Sequence, residues 1–137
     1  GVEGNFVSAS IAANGTTKAL WSPMSLGICQ QKCYLPVVFL TSCIVELTAQ
    51  SISGVGISTN PAELFVEYGK KIKIGSPFET TLISQLSNGW CGYVPSMEAF
   101  NRGGYECHRS VFVSRLRKNA GDLITKKSVE LLHKCLK

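Results

Sequence analysis

Histidine is scarce in this 137-residue chain: there are only two, His108 and His133, and both follow the tyrosine-rich loop at 88–106. No serine has a histidine upstream of that loop to activate it, so the residues give no Ser–His nucleophile. Charge is also sparse. Charged residues make up 17% of the chain against 45% hydrophobic, which excludes a disordered tail and predicts a packed globule. The net charge of +5 lies in scattered lysines and short runs such as Lys70-Lys71 and Lys126-Lys127, with no nucleic-acid signature beside them, so no nucleic-acid partner is expected. The longest apolar run, "YLPVVFLTSCIVEL", is broken by Pro36 and runs into Glu46, too short and too polar for a transmembrane segment. There is no signal-peptide pattern, no internal repeat and no low-complexity tract. The first residue is Gly1 and not Met, which raises the expectation that the natural polypeptide extends upstream.

Six cysteines are present, at 29, 33, 43, 91, 107 and 135, without the paired Cys-x-x-Cys spacing of a structural zinc site. An even count permits disulfides and equally permits buried thiols that pack as small hydrophobes. At this length the chain suits one domain or part of one. Residues 1–42 are poorly patterned, with Asn14-Gly15 as a turn signal, and residues 43–137 carry the clear signals.

Those signals predict an α+β or layered α/β fold: a small mixed sheet with helices near 61–74 and 119–136. "VVFL" reads as a buried strand near 37–41. "IVELTAQ" at 44–50 alternates, with Val45, Leu47 and Ala49 on one face. "SISG" can turn this strand back into another at 54–58, and "FETTLISQLS" predicts a strand over 79–87. Asn60-Pro61-Ala62-Glu63 reads as a helix start: Asn at the cap, Pro first, Glu third. Leu64, Tyr68 and Ile72 would then share one face, with Gly75 and Pro77 ending the helix. Ser96 can cap a short helix through Arg102, stopped by Gly103-Gly104. Leu123, Ile124, Leu131, Leu132, Cys135 and Leu136 give the last helix a broad apolar face.

The stretch "NGWCGYVPSMEAFNRGGYE" at 88–106 sets Trp90, Tyr93, Phe100 and Tyr105 among glycines. Glycines let a backbone approach a ligand closely, so this is the layout of an active-site loop. A phenol there can ligate a dication after losing its proton, or stabilise an oxyanion as the neutral group. Two plainer readings stand beside these: the tyrosines pack their rings and bond a carbonyl, and Glu63 caps a helix.

Taken together, "NPAELFVEYGKKIK…SPF", "LSNGWCGYVPSMEAFNRGGYE" and "AGDLITKKSVELL" resemble the C-terminal part of the catalytic domain in the neutral/alkaline ceramidase family, over roughly residues 44–136. The resemblance implies a zinc-dependent amidohydrolase acting on the N-acyl bond of sphingoid lipids, with a lipid amide as substrate. It implies Glu63 (in Pro61-Ala62-Glu63) and Tyr93 (in Gly92-Tyr93-Val94) as zinc ligands. Tyr105, in Tyr105-Glu106 twelve residues later, is implied as a catalytic residue.

Two departures qualify the expectation. Ala62 stands where the family has glycine before the glutamate, and the family's two upstream histidine ligands and its serine motif have no counterpart. A carboxylate and a phenolate fall short of the three protein ligands zinc takes. The expectation is therefore a segment inactive by itself, its zinc site completed by residues outside this chain, such as the missing upstream part of the same protein. Two alternatives are a diverged, non-catalytic binding or structural domain, and a site built from Glu63, Tyr93 and His108 with Cys91 or Cys107.

Overall fold

The computed structural model describes residues 8–11, 17–20, 29–36, 44–109 and 112–136, with side chains described over 45–109 and 112–136. The fold is α+β. β1 (Ser8–Ile11) and β2 (Thr17–Leu20) form an antiparallel pair that runs beside the main sheet. That sheet is mixed, in the order β3 (Cys29–Pro36), β4 (Ile44–Ile52), β5 (Val55–Thr59) and β7 (Thr80–Ser84). Three strands thus lie within the segment whose sequence shows no sustained period. The expected strand at 37–41 falls outside the described residues, and Cys29 and Cys33 occupy a strand that pairs with β4.

β4 and β5 are a hairpin, as the alternation and the "SISG" turn predict. Ser53 and Gly54 both take positive φ, 49° and 80°, the two-residue turn whose twist matches that of the strands it joins. Val45, Leu47 and Ala49 are fully buried. Ser58, paired with Ala49, shares their face, and Ser51 on the same face sends its hydroxyl to the Cys135 carbonyl. This side of the sheet is covered by α3 (Ala120–Cys135), through Ile124, Leu131, Leu132 and Cys135. Leu123 and Leu136, expected on the apolar face, are exposed at its margin.

β5 and β7 are parallel, a pairing that needs a crossover. α1 (Val66–Gly75) supplies it and buries Tyr68 and Ile72 against α3. The contact is close. A Cβ on Gly121 would lie 2.1 Å from the Tyr68 ring, so only glycine lets the two helices approach this far. Lys71 on α1 pairs with Asp122 on α3 at 3.1 Å across the same seam.

Two expected boundaries are corrected. The strand predicted over 79–87 ends at Ser84, because Leu86 and Asn88 turn to positive φ and leave the ladder. The helix predicted from 61 begins at Val66. Asn60 does bond the Ala62 N–H through its side chain, at 3.0 Å, but the chain then extends instead of coiling. Residues Glu63–Leu64 form a short strand, β6, parallel to β8 (Tyr93–Val94). A tertiary partner thirty residues away thus overrides a local helix-start signal. Among the described residues no helix is long and apolar enough to cross a membrane.

Candidate functional site

The β6–β8 ladder fixes the site. Its register pairs Glu63 with Tyr93 and Leu64 with Val94. Side chains alternate along a strand, so Leu64 and Val94 enter the core while Glu63 and Tyr93 stand together on the half-buried outer side. The backbone ties are Cys91 N–H to Pro61 O (3.0 Å), Glu63 N–H to Gly92 O (3.1 Å) and Phe65 N–H to Val94 O (3.2 Å). The Gln85 side chain accepts from the Leu64 N–H. Ala62, which replaces the glycine of the resembled motif, is fully buried in the core, so its methyl group points away from the side on which Glu63 stands.

On its other side β8 is held by residues 113–114. Tyr93 N–H donates to Val113 O at 2.8 Å, and Gly92 bridges Ser114 in antiparallel fashion. Gly92 has φ +83°, and a Cβ there would lie 2.2 Å from the Val113 carbonyl oxygen. The glycine before Tyr93 is therefore needed for this approach, whatever the tyrosine does.

Above the ladder the side chains converge. The Tyr93 phenol faces the Glu63 carboxylate, whose hydrogen bonding and then negative charge raise it above its ordinary 10.0; burial, Tyr105 and Glu106 add in the same direction. The Trp90 indole N–H donates to Glu63 Oε1 at 3.0 Å. Tyr105 starts a 3-10 turn (Tyr105–Cys107) and sets its ring edge-to-face on Tyr93, centroids 6.1 Å apart at 78°. That turn follows α2 (Met97–Arg102), which Ser96 caps through the Ala99 N–H at 3.2 Å, as its sequence predicts.

The structure thus brings Glu63, Tyr93 and Tyr105 to one place from three separate segments. Glu63 is a ladder residue and not the third residue of a helix, so the helix-cap reading fails. Sequence reasoning missed Trp90 as a partner of Glu63. It missed Arg115 altogether, whose guanidinium lies 4.5 Å over the Trp90 ring. A tryptophan inside the glycine-rich loop was the available signal for the first; nothing local signals the second.

The histidines lie elsewhere in role. His133 bonds the Gly75 carbonyl at 3.1 Å, closing the end of α1 onto α3, and the exposed His108 accepts from the Ser114 N–H through its backbone carbonyl. Cys91 is buried, and Cys107 is half-buried with its thiol pushed up by burial and then by Glu106. Among the described residues no three of His, Cys, Asp and Glu gather at metal-binding spacing. Chemically the arrangement offers two adjacent oxygen donors, Glu63 and Tyr93, and one outward phenol, Tyr105. No family model, curated protein or solved structure matches this chain.

Proposed function

We propose that the chain is a C-terminal segment of a ceramidase-like, zinc-dependent amidohydrolase acting on N-acyl sphingoid lipids, inactive in isolation. One observation supports this reading above the rest: the carboxylate and phenol that the sequence resemblance assigns to the metal are register partners, with the third assigned residue packed on the phenol ring. Glu63 and Tyr93 fit part of a zinc site and not a whole one, since two oxygen donors leave at least one protein ligand to be supplied. When bound, zinc contributes a Lewis acid and an activated water for attack on the amide carbonyl. The chain's own part is separable from that. Glu63 holds the Tyr93 proton until a cation competes for the carboxylate, Trp90 fixes the carboxylate's orientation, and the exposed Tyr105 phenol can donate to an oxyanion formed beside it.

Zinc titration in the presence of imidazole, standing in for the absent histidines, tests this. A cation bound at Glu63 and Tyr93 expels the phenolic proton, so tyrosinate absorbance should grow at a pH well below 10. Tyr93→Phe should abolish the signal. No tyrosinate at saturating zinc and imidazole would remove the metal reading. Full zinc-dependent amidase activity from this chain alone would contradict the need for further ligands.

A second reading has its own observation. The Glu63 carboxylate already accepts from Trp90, a bond that ties the ladder to the loop without the Tyr93 hydroxyl in a non-catalytic binding or structural domain. It expects Tyr93→Phe to leave folding and ligand binding nearly unchanged, measured by urea denaturation and zinc titration together.

A further inference from the structure

The core of this chain contains a polar seam. Among the described residues, the buried side-chain atoms with no hydrogen-bond partner are Ser58 Oγ, Asn60 Nδ2, Thr125 Oγ1 and Ser128 Oγ. The first two belong to β5 and the residues just after it, the other two to α3, and α3 packs on β5. Ser58, Asn60 and Ser128 are fully buried. Groups so placed ordinarily find a partner, because an unmade bond leaves their desolvation uncompensated.

Direction and register bring them together. α1 and α3 run parallel, since Gly121 meets Tyr68 at one end of their contact and Gly75 meets Val129 at the other. α1 is the crossover between the parallel strands β5 and β7, so it runs against β5, and α3 does the same. One contact pins the alignment: a Cβ on Gly56 would lie 3.2 Å from Leu132 Cδ2. The next inward position, Ser58, is about 6.6 Å further along the strand, a span of roughly four helical residues. Counting back from Leu132 reaches Ser128, so the two hydroxyls face each other. Thr125 lies one helical turn from Ser128. Asn60 is the inward position after Ser58, its backbone N–H still bonded to the Ser84 carbonyl of β7. Both ends of the seam are tight: the Phe78 ring and Leu132 close on Gly56, and the Tyr68 ring closes on Gly121. Between them stand small polar side chains at fully buried positions that apolar residues ordinarily fill.

We infer that internal water is bound between β5 and α3, with Ser58 and Ser128 as its central ligands. A buried water makes about three hydrogen bonds to groups otherwise unsatisfied, and two facing hydroxyls beside a third and an amide supply them. Asn60 connects this water to the β6 ladder. Its Oδ1 accepts from Ala62 N–H, its N–H donates to Ser84 O and its carbonyl accepts from Ser87 N–H, each at 3.0 Å. The Nδ2 donors are left for water, which completes the knot from which β6 and Glu63 depart.

The inference needs neither zinc nor Tyr93 and is independent of the hydrolase reading. Its test is relaxation dispersion of isotope-labelled water oxygen, which counts waters held inside the folded chain, with urea denaturation beside it. The wild-type chain should hold long-lived water. Ser58→Ala with Ser128→Ala should remove at least one such molecule, since an apolar cavity stays dry. Singly, Ser58→Ala should raise the unfolding constant about fivefold. Ser128→Ala should raise it about twofold, because alanine's helix propensity offsets part of the loss. Hydroxyls that bind no water predict the opposite sign, since deleting them removes an unmade bond. Three results overturn the inference: no long-lived water in the wild-type chain, an equal amount in the double variant, or stabilisation by both serine substitutions.

Discussion

Tyr68 and Tyr93 both hold their phenolic protons more firmly than an ordinary tyrosine, for opposite reasons. Tyr68 lies between α1 and α3, against Gly121, and its phenol is raised first by burial and then by Asp122 and Glu67. Tyr93 stands on the open side of a two-residue ladder, and its phenol is raised first by the bond to Glu63. The first tyrosine is part of a core and would keep its shift if any one neighbour were removed. The second depends chiefly on one carboxylate, with burial, Tyr105 and Glu106 adding to it. The helical seam is thus held by area and fit, the site by a few directed bonds over an otherwise exposed loop, and perturbations should act differently on the two.

The largest expected effect is on the seam. Ile124→Ala should cost about 3 kcal/mol of stability by the lost burial and the cavity left behind, read from urea denaturation, without moving the titration of Tyr93. If that titration moved as well, the two regions would not be independent. Next comes Gly92→Ala, which sets a methyl group against the Val113 carbonyl at a φ that L-residues rarely adopt. A loss of about 2 kcal/mol is expected, together with release of the Tyr93 phenol toward its ordinary value as the ladder parts. Ser96→Ala removes the cap of α2 and should cost about 1 kcal/mol, with Tyr93 unaffected.

Glu63→Ala should change overall stability least and the pH profile most selectively. A phenol raised in the folded state contributes stability in full below 10.0, and that contribution is lost as pH climbs through the raised value. Glu63→Ala should remove most of the Tyr93 share of this alkaline loss and leave the Tyr68 share, which burial sets first. Following the tyrosinate band and the denaturation midpoint together across alkaline pH separates the two. A profile unchanged by the substitution would mean that Tyr93 does not depend on Glu63.

Much of the scaffold was legible because its signals are local. The alternation of Val45, Leu47 and Ala49, the turn after Ile52, the Ser96 cap and the spacing of Tyr68 and Ile72 each encode their own geometry within a few residues. Errors arose where a local signal met a distant partner. Asn60-Pro61-Ala62-Glu63 has the composition of a helix start, and the Asn60 side chain does bond the Ala62 N–H, yet the backbone after Ala62 pairs with β8. Trp90 and Arg115 were illegible as neighbours for the same reason, since the contact between them spans a fold.

By itself, the sequence determined that the chain builds a small mixed sheet under amphipathic helices, and it singled out Glu63, Tyr93 and Tyr105 as residues with chemistry to offer. Only the tertiary structure decided that Glu63 and Tyr93 share a register position, that Tyr105 closes on Tyr93, and that Trp90 holds the carboxylate. Periodicity and capping are properties of neighbouring residues. A register between strands thirty residues apart is set by the core beneath it, here by Leu64 and Val94, which must both be buried and so bring Glu63 and Tyr93 up together on the other side.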